Sequence, residues 1–136
     1  MNTTNTFLKY IVLVLMVLIT FSFTTNQTQP KAKSIDKNLL LGNWVRTDAD
    51  YKIKITEVVN EGKLKAGYFN PKSINVAKAS WTNTKGVLKI FIELRDENYP
   101  GSTYNLTYYP EKDMLSGKYF QAVARETYDV LFTRIK

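Results

Sequence analysis

Apolar and polar side chains alternate with a period of two along most of the chain beyond residue 38. Tyr51, Ile53 and Ile55 interleave with Lys52, Lys54 and Thr56, and Leu64, Ala66 and Tyr68 with Lys63, Lys65 and Gly67. The same beat carries Tyr104, Leu106 and Tyr108, and again Tyr128, Val130 and Phe132. Successive side chains of a strand point to opposite faces, so this period marks half-buried strands. Further strand-like runs cover 42–46, 74–81, 87–95 and 114–123, each set off by a turn signal, with no helical stretch between them. The pattern predicts an all-β domain of eight antiparallel strands over 38–136. Short links between consecutive strands favour an up-and-down barrel, which has no free edge, over a two-layer sandwich.

The connections fall into two kinds. Segments 60–62, 83–86 and 110–113 carry the Asn, Gly, Pro and Asp of compact hairpin turns. In a meander they share one end with the start of the first strand and the end of the last. Segments 46–50, 69–73, 95–101 and 124–126 lie at the other end and are richer in charged, amide and aromatic groups. That asymmetry predicts a barrel with a functional mouth. The plainer reading is that longer loops collect polar residues.

Upstream of the barrel, Lys9 precedes an apolar run over 10–23. Its core is shorter than the roughly 20 residues of a comfortable membrane span, and a polar stretch follows at 24–29. The expectation is a signal peptide over 1–28, a polar tether over 29–37 and the barrel over 38–136. An N-terminal membrane anchor is the alternative. The product is expected to be exported, periplasmic or secreted, and off the membrane once the signal is removed. With no cysteine after the apolar run, a bacterial lipoprotein anchor is excluded.

Composition narrows the chemistry. The chain has no cysteine and no histidine, so the usual thiol nucleophile, general base and metal ligand are all missing. No phosphate loop, nucleophile elbow or metal motif occurs. We therefore assign no catalytic residue, no metal and no cofactor, and expect no enzyme; a hydrolase would have to rest on Glu93 and Asp96. The net charge is +7, but the lysines are scattered, mostly on alternate strand positions. That distribution fits a solvated sheet face with protected edges, not a nucleic-acid stripe, and no nucleic-acid partner is expected.

The run Leu40-Leu41-Gly42-Asn43-Trp44 opens the first strand. Glycine lets the backbone pass close to its neighbours, the indole plugs one end of a small barrel, and Arg134 in the last strand can lie over the ring. Gly42, Trp44 and Arg134 are thus the expected structural floor. This arrangement resembles the floor of the calycin superfamily, the lipocalins, fatty-acid-binding proteins and avidins, and implies their small β-barrel. The stretch Gly62-Lys63-Leu64-Lys65-Ala66-Gly67-Tyr68 is similar to the third-strand approach of avidins, where the matching tyrosine donates to the ligand's ureido oxygen. This chain departs from avidins at Arg46 and Asp50, where they carry small polar ligand contacts. It has only Trp44 and Trp81 against their several wall tryptophans. Those departures speak against biotin. Segments 66–71 and 93–104 also resemble uncharacterised exported bacterial proteins, a likeness that implies no activity.

The candidate ligand-binding residues are Tyr68, Tyr104 and Tyr128 on the predicted inner face, which Tyr119 shares, Asn70 and Gln121 at strand ends by the mouth, and Arg95 and Asp96 in the 95–101 loop. Each phenol needs a partner if buried, so aromatic core competes with ligand cage; Asn70 before Pro71 is also a good turn residue. Leu88, Ile90, Ile92 and Leu94 alternate so as to turn Glu93 and Arg95 outward as a cross-strand ion pair, and the opposite facing is open. The leading expectation is a monomer that binds a small molecule or an extended ligand at its open end. The alternative is an interaction module with a filled barrel, docking a protein or glycan through its outer face or the 95–101 loop.

Overall fold

The computed structural model describes residues 35–135; the expected signal peptide and most of the expected tether lie outside the described residues. The described chain is an all-β, antiparallel, nearly closed up-and-down barrel. Its strands are β1 (Gly42–Arg46), β2 (Lys52–Val58), β3 (Leu64–Asn70), β4 (Lys72–Ile74), β5 (Val76–Thr84), β6 (Val87–Asp96), β7 (Tyr99–Tyr109), β8 (Met114–Gln121) and β9 (Glu126–Arg134). They form one sheet in the order β4-β3-β2-β1-β9-β8-β7-β6-β5.

Nine strands stand where eight were expected: a short extra strand, β4, forms over 72–74, mostly within the 69–73 segment expected as a connection, and the chain changes partner at Asn75. The three residues of β4 pair with β3, Tyr68 facing Ile74. From Val76 onward the chain pairs with β6 instead, Val76 facing Leu94. Asn75 makes the transfer: its carbonyl accepts from the Arg95 amide at 2.9 Å and its Nδ2 donates to the Arg95 carbonyl at 3.1 Å. Along the seam this opens, Lys63, the residue before β3, forms an isolated bridge to Ser80 of β5. Trp81 of β5 reaches across it, its indole N–H donating to the Val59 carbonyl at 2.8 Å.

Inward positions follow the period of two. Leu88, Ile90, Ile92 and Leu94 are all buried, which resolves the facing of β6. Glu93 and Arg95 turn outward, paired along their own strand and not across strands. Lys54, Lys65, Lys89 and Lys118 are exposed, and Lys118 pairs across strands with Asp129 at 2.6 Å. Each fully buried Leu, Ile or Phe inside the barrel contributes roughly 1.5–3 kcal/mol.

One end is plugged. Trp44 is fully buried and its indole N–H donates to the Leu40 carbonyl at 3.1 Å. The Arg134 guanidinium lies over the ring, 4.1 Å from its centroid, and donates to the carbonyls of Leu39 and Leu41. Gly42 has φ +134°, and a Cβ there would stand 2.6 Å from Arg134 Nη1. The guanidinium therefore fills the space that a side chain at residue 42 would take. A 3-10 turn, Lys37–Leu40, seals the floor, with Asp36 as its N-cap. It begins at Lys37, inside the stretch expected as tether, and Ile35 already packs on the core.

Candidate functional site

The end opposite Trp44 is open. There the connections β1–β2, β3–β4, β6–β7 and β8–β9 surround a cavity of about 380 Å³. Most of its wall comes from extending each inward row one step towards the mouth. Trp44 leads to Arg46, Ile53 to Tyr51, Tyr68 to Asn70, Tyr119 to Gln121, and Val130 to Tyr128, and all five of these outer residues line the cavity. Tyr68 and Tyr119 form its lower wall, and Asn98 and Tyr99 close one side from the β6–β7 connection.

Arg46 is the charged side chain of this wall. Backbone bonds hold the end of β1 in place, the Arg46 amide donating to the Tyr51 carbonyl and the Thr47 amide to the Leu131 carbonyl, both at 2.9 Å. The guanidinium lies 5.1 Å from the Tyr51 ring centroid and 5.9 Å from that of Tyr119. Its Nη2 donates to Asp48 Oδ2 at 2.9 Å. Its Nε is 2.6 Å from Asp48 Oδ1, yet that buried N–H makes no aligned hydrogen bond. The contact is thus an ion pair without good hydrogen-bond geometry. The Arg46 side chain is only 10% exposed, whereas Asp48 is 59% exposed and lies outside the cavity wall. Burial works against the Arg46 charge, but Asp48, helped by the Tyr104 phenol, outweighs it and raises the pKa. Asp48 is correspondingly held below the usual carboxylate range by its bond to Arg46.

Beneath the cavity the tyrosines bond to one another. The Tyr68 and Tyr104 hydroxyls are 3.0 Å apart across the barrel, and the Tyr104 ring stacks on Tyr119 at 4.5 Å. Burial pushes the Tyr68 and Tyr104 phenols far above their ordinary range, and it raises that of Tyr119 as well. These phenols are therefore neutral hydrogen-bonding groups at physiological pH, not bases. Near the rim, Asn70 Nδ2 donates to the Tyr99 hydroxyl.

Of the residues expected at the mouth, Tyr68, Asn70, Gln121 and Tyr128 line the cavity. Tyr104 lies below it, fully buried. Tyr128 keeps the inward phase but stands above the rim, 41% exposed, stacked beside Tyr119 and donating to Glu126. It is not an interior residue. Arg95 and Asp96 do not line the cavity. A register shift between Leu94 and Arg95 ends the inward row of β6, and both side chains are exposed; Asp96 instead accepts from the amides of Asn75 and Glu97. Tyr119, expected on the same inner face, lines the cavity too, whereas Arg46, Tyr51, Asn98 and Tyr99 were not among the expected site residues. For Arg46 and Tyr51 the signal was present, two positions along from Trp44 and Ile53. Asn98 and Tyr99 follow the register shift, where period gives no guide. Gly42, Trp44 and Arg134 meet at the floor, as expected.

No group of His, Cys, Asp or Glu among the described residues is placed to hold a metal ion, and no helix among them is long and apolar enough to cross a membrane. No protein-family model, curated protein or solved structure matches the chain.

Proposed function

We propose that this protein is an exported, calycin-like barrel that binds a small or extended ligand at its open end and does no chemistry on it. The observation that carries this reading is the cavity of about 380 Å³ at the end opposite the Trp44 plug. It lies at the low end of the range for small-molecule sites, roughly 300–1,000 Å³. Its wall combines aromatic faces with amides and one guanidinium, groups that orient a ligand by stacking and hydrogen bonds. The protonated phenols and the guanidinium offer no general base, which supports binding without catalysis.

The test is native mass spectrometry on protein recovered from its own host, followed by nuclear magnetic resonance with a panel of small charged and neutral compounds. A co-purified small molecule, or compounds that shift the Asn70 and Gln121 side-chain amides, would support the proposal. Bare protein whose mouth ignores every compound would refute it.

The second reading, an interaction module, draws on Phe120 and Val123, which are exposed beside the mouth at 36% and 62%. A partner docking there would perturb the outer face of β8 and leave the cavity amides unchanged.

A further inference from the structure

Resting on the mouth-binding reading above, we infer that the ligand is an organic acid with a ring body, its carboxylate held by Arg46 and its ring against Tyr119 and Tyr128. Three observations carry this. First, Arg46 is the charged group of the cavity wall, and no carboxylate stands in that wall with it. Asp48 pairs with it from outside that wall, so the face turned to a ligand is that of the guanidinium, which suits an anion.

Second, the Asp48 pair does not exhaust the guanidinium. Asp48 engages Nε and Nη2, and the Nε contact lacks an aligned hydrogen bond. The guanidinium also bonds the Tyr104 phenol beneath it, but its five N–H donors exceed what these two partners take, and a planar carboxylate is the group that matches two parallel N–H bonds. Asp48 itself is largely in solvent, so it can yield to a ligand carboxylate and rehydrate. The plainer account is that Arg46 serves only to pair with Asp48 and with the buried Tyr104 phenol; neither of those partners stands in the cavity wall that the guanidinium faces.

Third, the wall next to Arg46 is aromatic. Tyr119 and Tyr128 have nearly parallel rings, 24° apart with centroids at 6.4 Å, and Tyr128 offers an exposed face. Such a face takes either an aromatic ring or the C–H face of a sugar ring. Aromatic acids and sugar acids are thus two sources of one chemistry, a carboxylate on a ring.

The experiment titrates protein purified from its own host with matched probes, followed through the side-chain amides of Asn70, Asn98 and Gln121 and the Arg46 Nε–H. One arm sets benzoate and 4-hydroxyphenylacetate against benzamide and 4-hydroxyphenylacetamide; the other sets glucuronate against glucose. We expect the acids of one arm to bind at least about tenfold more tightly than their neutral partners, the preference to disappear in Arg46→Gln, and Arg46→Lys to recover only part of it. The arm that responds identifies the source. The comparison within each pair needs no variant, so it stands even if Arg46→Gln weakens the fold. Neutral partners that bind the mouth as tightly as the acids would overturn the carboxylate assignment while leaving the mouth-binding reading intact. Acids that bind equally well to Arg46→Gln would overturn it too, placing them on the outer lysines. Silence from every probe, charged or neutral, would overturn both readings.

Discussion

Replacing Arg134 with methionine keeps most of the side chain's packing and removes its charge and donors, so it isolates what the guanidinium does at the floor. Three contributions are lost. The ring contact with Trp44, at 4.1 Å on a fully buried indole, is a desolvated cation–π contact of about 1–2 kcal/mol. The bond to the half-buried Leu41 carbonyl adds about 1 kcal/mol, whereas the Leu39 carbonyl lies in solvent and rehydrates. The Asp113 pair, with Nε 2.7 Å from Oδ2, is 22% and 45% exposed on its two sides, so screening leaves it about 0.5 kcal/mol. The net expectation for Arg134→Met is a loss of about 3 kcal/mol, a large part of the roughly 5–15 kcal/mol of a typical domain. Urea unfolding followed by far-ultraviolet circular dichroism measures it, with Arg125→Met in the exposed β8–β9 turn as a control expected to stay within about 0.5 kcal/mol. In 1 M salt the deficit should shrink by only the Asp113 share, because carbonyl and ring contacts are hardly screened. A loss below about 1 kcal/mol would refute the argument, and with it the claim that the guanidinium closes the barrel.

Two further outcomes follow from the tyrosines. Tyr68→Phe removes one partner of the buried hydroxyl pair and leaves the Tyr104 hydroxyl only its contact with Arg46, so it should cost about 1 kcal/mol in a denaturant melt without ligand; Tyr68→Phe with Tyr104→Phe should cost less than the sum of the two single changes, and strict additivity would contradict the pairing. Above pH about 10 the unfolded chain gains by ionising both phenols, whereas burial keeps them protonated in the fold, so stability is full below that pH and falls by about 1.4 kcal/mol per pH unit for each. Absorbance at 295 nm should then rise in two steps, the second coinciding with loss of the β signal, and a single smooth rise with the fold intact would contradict it.

Alternation assigns a side chain to a face, and that is why the barrel and most of its wall were legible. Trp44, Tyr68, Asn70, Tyr119 and Gln121 share the inner face by simple counting, and Trp44 near one terminus with Arg134 near the other marks which end is closed. Alternation does not give depth. Tyr128 has the phase of Val130 and Phe132, yet β9 runs past the rim before reaching it. Nor does it survive a register shift: Arg95 points outward by alternation alone, but the slip between Leu94 and Arg95 keeps Asp96 from continuing the inward row and precedes Asn98 and Tyr99, which no period marks. The break at Asn75 was hidden for a different reason. Residues 72 and 73 after Pro71 carry no strand signal and read as a connection, and which neighbour takes their hydrogen bonds depends on how far the barrel must bend to close.

The two hydrogen bonds that tie β3 to β7 also bear on what the mouth can admit. These strands are not neighbours in the sheet, so the Tyr68–Tyr104 pair and the Asn70–Tyr99 bond both span the interior. One underlies the cavity and the other bounds it on one side near the rim. Together they divide the mouth and leave the open space on the side walled by β1, β2, β8 and β9, where Arg46 and the stacked pair Tyr119 and Tyr128 stand. A long chain entering from above would have to break both bonds and displace the tyrosine stack to go deeper, leaving buried hydroxyls unpaired at about 1–3 kcal/mol each. A compact ring with one polar group breaks neither. Of the small and the extended ligand, this geometry favours the small one, seated across the top of the tyrosines and not threaded into the barrel.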